Sequence, residues 1–137
     1  MSVESFIDID KVPTLTRGGG IVTRPLVARH NIPDAKISTG ITRFPPGQGA
    51  PMHLHNCDEQ VTVLEGTGIY EVADVVTELK AYDTTYIPAG QPHRFQNTGD
   101  APMAILWIYA SSNVTRTFTG TGETVEHLSS ADMMVVE

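Results

Sequence analysis

Twelve glycines and nine prolines are spread along the whole of this 137-residue chain and gather into no linker. Glycine interrupts regular structure through its backbone freedom, proline through its fixed φ and missing N–H. Broken this often, the chain has no room for long helices. It reads as short strands joined by turns, the pattern of an all-β sandwich or barrel. The segments between breakers are β-rich. Residues 35–44 end at Pro45-Pro46-Gly47, 59–65 at Gly66-Thr67-Gly68, and 85–87 at Pro88-Ala89-Gly90. Further strands are expected at 52–55, 69–73, 75–79, 93–97 and 115–119. Residues 103–110 are apolar throughout, which predicts a strand covered on both faces. No segment carries the spacing of an amphipathic helix. A single helical turn is expected near 129–134.

The length fits one domain over 1–137, with a core barrel at roughly 35–110 and peripheral segments at 1–34 and 111–137. The apolar content is 40% and the charged content 18%, a balance that excludes a disordered chain. The formal net charge is −7 and no Lys/Arg cluster exists, so nucleic acid is not an expected partner. The longest apolar run has eight residues, which no bilayer-spanning helix matches. The first residues, Met1-Ser2-Val3-Glu4, lack a basic region followed by an apolar one, so a cytoplasmic location and no membrane are expected. One cysteine, Cys57, makes an internal disulfide impossible and agrees with a reducing compartment.

Three of the five histidines stand in a pattern with one glutamate: His53, His55 and Glu59, then His93. Side chains alternate along a strand, so His53 and His55 share a face. Asn56-Cys57-Asp58 is turn chemistry that lets the chain reverse and bring Glu59 beside the two histidines. His93 arrives from a non-adjacent segment, which closure of a barrel permits. Three imidazoles and a carboxylate can bind Fe, Mn, Ni, Zn or Cu at roughly 2.0–2.2 Å, and they leave positions open on a five- or six-coordinate ion. An HxH pair alone occurs by chance, and the flanking residues give it weight.

Around these residues the chain resembles the cupin superfamily. The first motif of that family, G-x5-H-x-H-x3–4-E-x6-G, is met by Gly47, His53, His55, Glu59 and Gly66. The second, G-x5-P-x-G-x2-H-x3-N, is met by Pro88, Gly90, His93 and Asn97, with Tyr82 in place of its first glycine. Fifteen residues separate Gly66 from Tyr82, the spacing of compact single-domain bacterial members. The resemblance covers residues 47–97. It implies an antiparallel jelly-roll β-barrel, a double-stranded β-helix, with a metal inside one end. It also implies His53, His55, Glu59 and His93 as the ligands, and it puts in doubt the backbone angles of the turn at Tyr82.

Strand parity places Val61 and Val63 on the face of Glu59, and Phe95 and Asn97 on the face of His93. The valines are equally well read as core. Phe95 offers an aromatic wall to a flat substrate, with Tyr70 and Trp107 as further substrate-binding candidates. Arg43, turned inward, would bind a substrate carboxylate; solvated, it would not. Asn56 and Asp58 are read as turn residues or as partners that orient the imidazoles. Cys57 is not expected to be a ligand. His30 and His127 belong to no motif and are expected at the surface. Gly18-Gly19-Gly20 is followed by no Lys-Ser/Thr pair and is a flexible turn rather than a phosphate loop.

The family resemblance implies a metal site but not one reaction. The expected function is a metal-dependent enzyme acting on a small organic molecule, an oxygenase of the quercetin-dioxygenase-like type first. There iron, or another divalent transition metal, polarises a substrate oxygen and passes electron density to O2, and Glu59 doubles as a catalytic base. The alternatives are an isomerase, cyclase or lyase that uses the metal as a Lewis acid, and a non-catalytic binder of small molecules. A homodimer is expected, because the apolar strand at 103–110 exceeds the needs of one barrel face and the outer β-rich segments can extend a sheet between subunits.

Overall fold

The computed structural model describes residues 6–129 and 132. The helical turn expected at 129–134 falls largely outside them. After a short 3-10 turn at Ile9–Lys11 the described chain is β throughout. In chain order the strands are β1 (Leu15–Thr16), β2 (Val22–Val27), β3 (Ser38–Phe44), β4 (His53–His55), β5 (Glu59–Glu65) and β6 (Gly68–Val72). They continue with β7 (Val75–Leu79), β8 (Thr84–Ile87), β9 (His93–Gln96), β10 (Met103–Tyr109), β11 (Thr115–Phe118) and β12 (Thr124–Glu126). The breaker pattern found every strand from β3 to β11 to within a few residues. The first and last segments, read as peripheral, supply β1, β2, β11 and β12 of the same two sheets.

The sheets have six strands each, all pairs antiparallel, in the orders β1-β2-β3-β10-β5-β8 and β12-β11-β4-β9-β6-β7. This is the jelly-roll arrangement, built as two facing sheets rather than a closed barrel. Every second residue of β3, β5 and β10 points into the space between them. Ser38, Gly40, Thr42 and Phe44 alternate with half-buried or exposed neighbours, as do Glu59, Val61 and Val63. Strand β10 lies between β3 and β5, so both its hydrogen-bonding edges are satisfied within the chain. Met103, Ile105, Trp107 and Tyr109 on its inner face are each 5% exposed or less. Trp107 lies over Gly40 of β3, where any Cβ would collide with the indole. The indole N–H donates to Thr42 Oγ1 at 2.9 Å.

Motif residues other than the three histidines and Glu59 hold β4 and β9 in place. Asn97, fully buried, donates from Nδ2 to the carbonyls of Phe44 and Ala101 and accepts from the Gly99 N–H at 2.9 Å. Gly90, at φ +82°, donates its N–H to the His55 carbonyl and so ties the entry to β9 against β4. Tyr82 adopts φ +74° although it is not glycine. Its ring is 80% exposed and its N–H bonds the Val63 carbonyl. The turn therefore keeps the left-handed conformation with a tyrosine, at a cost of about 1–2 kcal/mol.

Candidate metal centre

His53 and His55 face inward from β4 with one residue between them, as strand alternation requires. His93 is the cross-strand partner of His53 in the β4–β9 pair. The three imidazoles thus come from two neighbouring strands of one sheet, and no barrel closure is needed to bring them together. Glu59 lies beside the histidines as expected, and the route is set by the sheets. The segment Asn56-Cys57-Asp58 does not fold a hairpin; it carries the chain across to the other sheet, where Glu59 opens β5 and faces the histidines over the gap. Asn56 holds this crossing by accepting from the Thr115 N–H and donating to the Asn113 carbonyl, each at 2.9 Å. Asp58 accepts from the Ala89 N–H at 2.8 Å and from the Tyr86 hydroxyl. Both are turn staples and neither touches an imidazole.

All four side chains are buried, His93 completely and the others to within 5%. The imidazole donor atoms lie within 4.8 Å of one another. Glu59 Oε1 stands 3.2 Å from His93 Nε2 and 3.6 Å from His55 Nε2. Donors bound to one ion at about 2.1 Å sit about 3 Å apart when adjacent and about 4.2 Å when opposite, so the Glu59 spacings match a common ion and the imidazoles reach it by closing a few tenths of an ångström. The Nδ1 atoms settle which nitrogen faces it. His53 Nδ1 contacts the Pro51 carbonyl at 2.6 Å, His55 Nδ1 that of Thr115 at 3.1 Å, and His93 Nδ1 that of Gln91 at 2.8 Å. A carbonyl only accepts, so each Nδ1 carries the proton and each Nε2 offers a lone pair inward. Burial pushes the His53 imidazole well below its ordinary value, helped by the neighbouring His93 and His55. Burial likewise pushes His55 down to about 4, against the opposing pull of Glu59. Both are neutral at pH 7, the state in which imidazole binds metals.

His53, Glu59 and His93 line a cavity of about 60 Å³ between the sheets. Phe95 and Trp107 form part of its wall. Tyr70 stands behind Phe95, stacked on it at 5.0 Å, and does not line the space. Val61 and Val63 are buried in the core away from it. Arg43 is not a cavity residue. It lies on the outer face of β3, half exposed, and makes two 3.0 Å bonds to Glu65. An odd-numbered residue cannot face inward on a strand whose inner positions are Ser38, Gly40, Thr42 and Phe44. Cys57 is also set aside, since burial, Glu59 and Asp58 push its thiol up to about 11 and leave it protonated. His30 is exposed, as expected.

His127 is not a surface residue. Its ring packs edge-on against Trp107 at 5.0 Å and Tyr109 at 4.9 Å and borders the cavity, and burial pushes it down to about 3. Three further cavity residues had escaped the sequence reading. Tyr109, the register partner of Glu59, places its hydroxyl 3.2 Å from His55 Nε2. Burial drives its phenol far above the usual range, so it stays protonated. Arg116 faces inward directly opposite His55 on β11 and is 5% exposed. Arg17 enters from the loop after β1. The signal for Arg116 lay in alternation: Val114, Arg116 and Phe118 share one buried face. Nothing local marks Arg17.

Comparison with known proteins agrees with this architecture. A sequence model of the cupin domain matches residues 40–109, about half of the chain. An uncharacterized protein of Methanocaldococcus jannaschii is 33% identical over 101 residues, which is 72% of this chain and 80% of that one. Among solved structures, a predicted oxalate decarboxylase of Thermotoga maritima superposes with a TM-score of 0.66 at 20% identity, over 76% of this chain and 96% of that one. A sugar phosphate isomerase of Silicibacter pomeroyi reaches 0.70 at 18% identity, over 93% and 99%. At these identities the two superpositions speak for the fold alone.

Proposed function

Since the chain belongs to the cupin domain family, we propose that it is a divalent-metal-dependent enzyme acting on a small organic molecule, with oxygenase chemistry as the leading form. The observation that carries this reading is the shared orientation of the three histidines. Each Nδ1 is fixed on a backbone carbonyl and each Nε2 is turned to one buried point beside a cavity. A core histidine kept only for packing has no reason to agree with two others in this way. Glu59 is the proposed fourth ligand.

A bound Fe(II), or another divalent transition ion, would supply Lewis-acid polarisation of a substrate oxygen and electrons for O2. The chain's own groups do the rest. Glu59 is the one carboxylate lining the cavity among the described residues, and so the natural acceptor for a substrate proton. Tyr109, held protonated, is a donor beside His55 and can stabilise negative charge that develops on a substrate. Phe95 and Trp107 exclude water from one wall.

Oxygen uptake by metal-loaded protein with candidate phenols and enols tests the oxygenase form. Consumption of O2 in step with substrate is the expected result. Equal turnover without air, or equal activity with redox-inert Zn, would replace it by a Lewis-acid isomerase or lyase. Tight binding with no turnover under any metal would leave a binding module. Self-association into a dimer is also proposed. The outer face of the first sheet carries the half-buried Ile41, Leu106 and Ile108, which suit contact with a second copy. A monomer by light scattering at micromolar concentration would contradict this.

A further inference from the structure

The cavity has a second functional end. Arg116 and Arg17 both border it, and both lean on a single residue, Asp132. Arg116 Nη2 donates to the Asp132 carbonyl at 2.8 Å, and Arg17 Nη1 reaches the same oxygen at 3.2 Å. Arg17 Nη2 is 3.3 Å from Asp132 Oδ2, and Arg17 Nε is occupied by Thr23 Oγ1 at 3.0 Å. Arg116 is far less satisfied. Its Nε approaches Asp132 Oδ1 to 2.8 Å, but the N–H does not point at the oxygen, and both atoms are left without a hydrogen bond. Among the described residues the guanidinium makes one hydrogen bond out of the five its N–H groups allow. Its remaining contact is the Phe118 ring, 4.8 Å below the central carbon.

A buried guanidinium with unspent donors is costly unless something else takes them, since each unpaired buried N–H costs about 1–3 kcal/mol. A purely structural pair would also be balanced. Here two cations share one carboxylate, and Arg116 stands across from His55, the central member of the metal site. With a divalent ion in place, the two guanidiniums and the metal outweigh Glu59 and Asp132 by two positive charges. The planar fork of a guanidinium matches a carboxylate in shape and charge.

We infer that Arg116, backed by Arg17, is the anchor for the carboxylate of a small carboxylic-acid substrate whose other end faces the metal site. The inference rests on the proposed enzymatic reading of the cavity and adds the substrate's chemical class to it. A cavity of about 60 Å³ suits a molecule of a few heavy atoms. A hydroxy or keto acid would present one oxygen to the metal and its carboxylate to Arg116. Asp132 is the resident counter-charge that keeps the two arginines in position while the site waits.

The test uses purified, metal-loaded protein of measured metal content. Glycolate serves as probe, with glycolamide as its uncharged isostere and inorganic phosphate as a bulkier anion. Affinity is read by calorimetry and thermal midpoint. Glycolate should bind one-to-one, and glycolamide and phosphate at least tenfold more weakly. Arg116→Gln should weaken glycolate at least tenfold, and Arg116→Lys should restore only part of the loss because the ammonium lacks the fork. Asp132→Asn removes the competing carboxylate and should tighten glycolate binding severalfold, with a larger ligand-induced rise in midpoint than the parent shows. Arg17→Gln, which leaves Arg116 and Asp132 paired and should weaken glycolate severalfold, carries the test if Arg116→Gln does not fold. Glycolamide or phosphate binding as tightly as glycolate would overturn the inference, as would arginine variants that match the parent. Stoichiometric metal with no glycolate effect overturns this inference and leaves the metal enzyme standing. Glycolate binding without O2 consumption on any substrate sinks the oxygenase reading and leaves the anion site.

Discussion

The two ends of the cavity solve the problem of burying polar groups in opposite ways. At the metal end the groups that face the Glu59 carboxylate are three imidazoles, of which burial holds His53 and His55 neutral. Each is satisfied on its outer side by a carbonyl, two residues back in the chain for His53 and His93 and across a strand pair for His55. At the arginine end the groups are permanently charged, and their counter-charge comes from Asp132, 115 residues from Arg17. Neutral donors can be buried with little more than a backbone hydrogen bond. Charges cannot, because desolvation exceeds what geometry returns unless a partner is buried with them. The rings of His53 and His93 are therefore oriented by carbonyls two residues away, while the arginine end depends on the complete fold.

Changes that strike one end and spare the other test this contrast. The largest effect is expected from His55→Ala. Bound metal, measured by elemental analysis, should fall from stoichiometric to none, while the β circular-dichroism spectrum is retained, because a neutral side chain is lost and no charge is stranded. Stoichiometric metal in this variant would mean that the ligands are misassigned. Asp132→Ala should act on stability instead. Two buried guanidiniums would lose their counter-charge, and the urea midpoint should report a loss of about 3–5 kcal/mol. A loss below about 1 kcal/mol would mean that the arginines reach water and that the two ends differ less than described.

Acid should act next, through one depressed imidazole at each end. The folded protein holds His55 at about 4 and His127 at about 3, whereas the unfolded chain takes protons near 6.5. The stability these neutral imidazoles contribute is complete above pH 6.5. In metal-free protein it should drain away as pH falls from about 6.5 toward 4 and on to 3, where the folded state begins to accept protons too. Urea midpoints flat across that range would contradict the burial of both rings. The smallest effect belongs to Arg43→Ala, which breaks the half-exposed pair with Glu65 and should cost less than about 1 kcal/mol. Set beside Asp132→Ala, it measures how much burial alone magnifies the loss of an arginine–carboxylate pair.

The same division accounts for what could be read in advance. His53, His55, Glu59, His93 and Asn97 fill fixed positions of two short motifs that the chain shares with the cupins, each motif spanning one turn and its flanking strands. Their identities were therefore plain. The turn at Asn56-Cys57-Asp58 brings Glu59 beside the histidines as its composition suggests, but turn composition says where a chain bends and not which sheet it enters. His127 looked solitary because Trp107 and Tyr109, the rings it packs against, are about twenty residues away in the chain. Arg43 drew attention by standing beside Pro45-Pro46, but parity within β3 turns it outward.

The sequence by itself determined the strands, the turns that separate them and the donor set for a metal, because period-two alternation, backbone breakers and ligand spacing act over a handful of residues. The tertiary structure alone decided that the histidines share one sheet while Glu59 answers from the other. It also decided that Arg17 and Arg116, both at the cavity wall, meet over Asp132. Those encounters depend on which strands pair and how two sheets face each other. That choice is made by burial summed over the whole chain, and no local pattern records it.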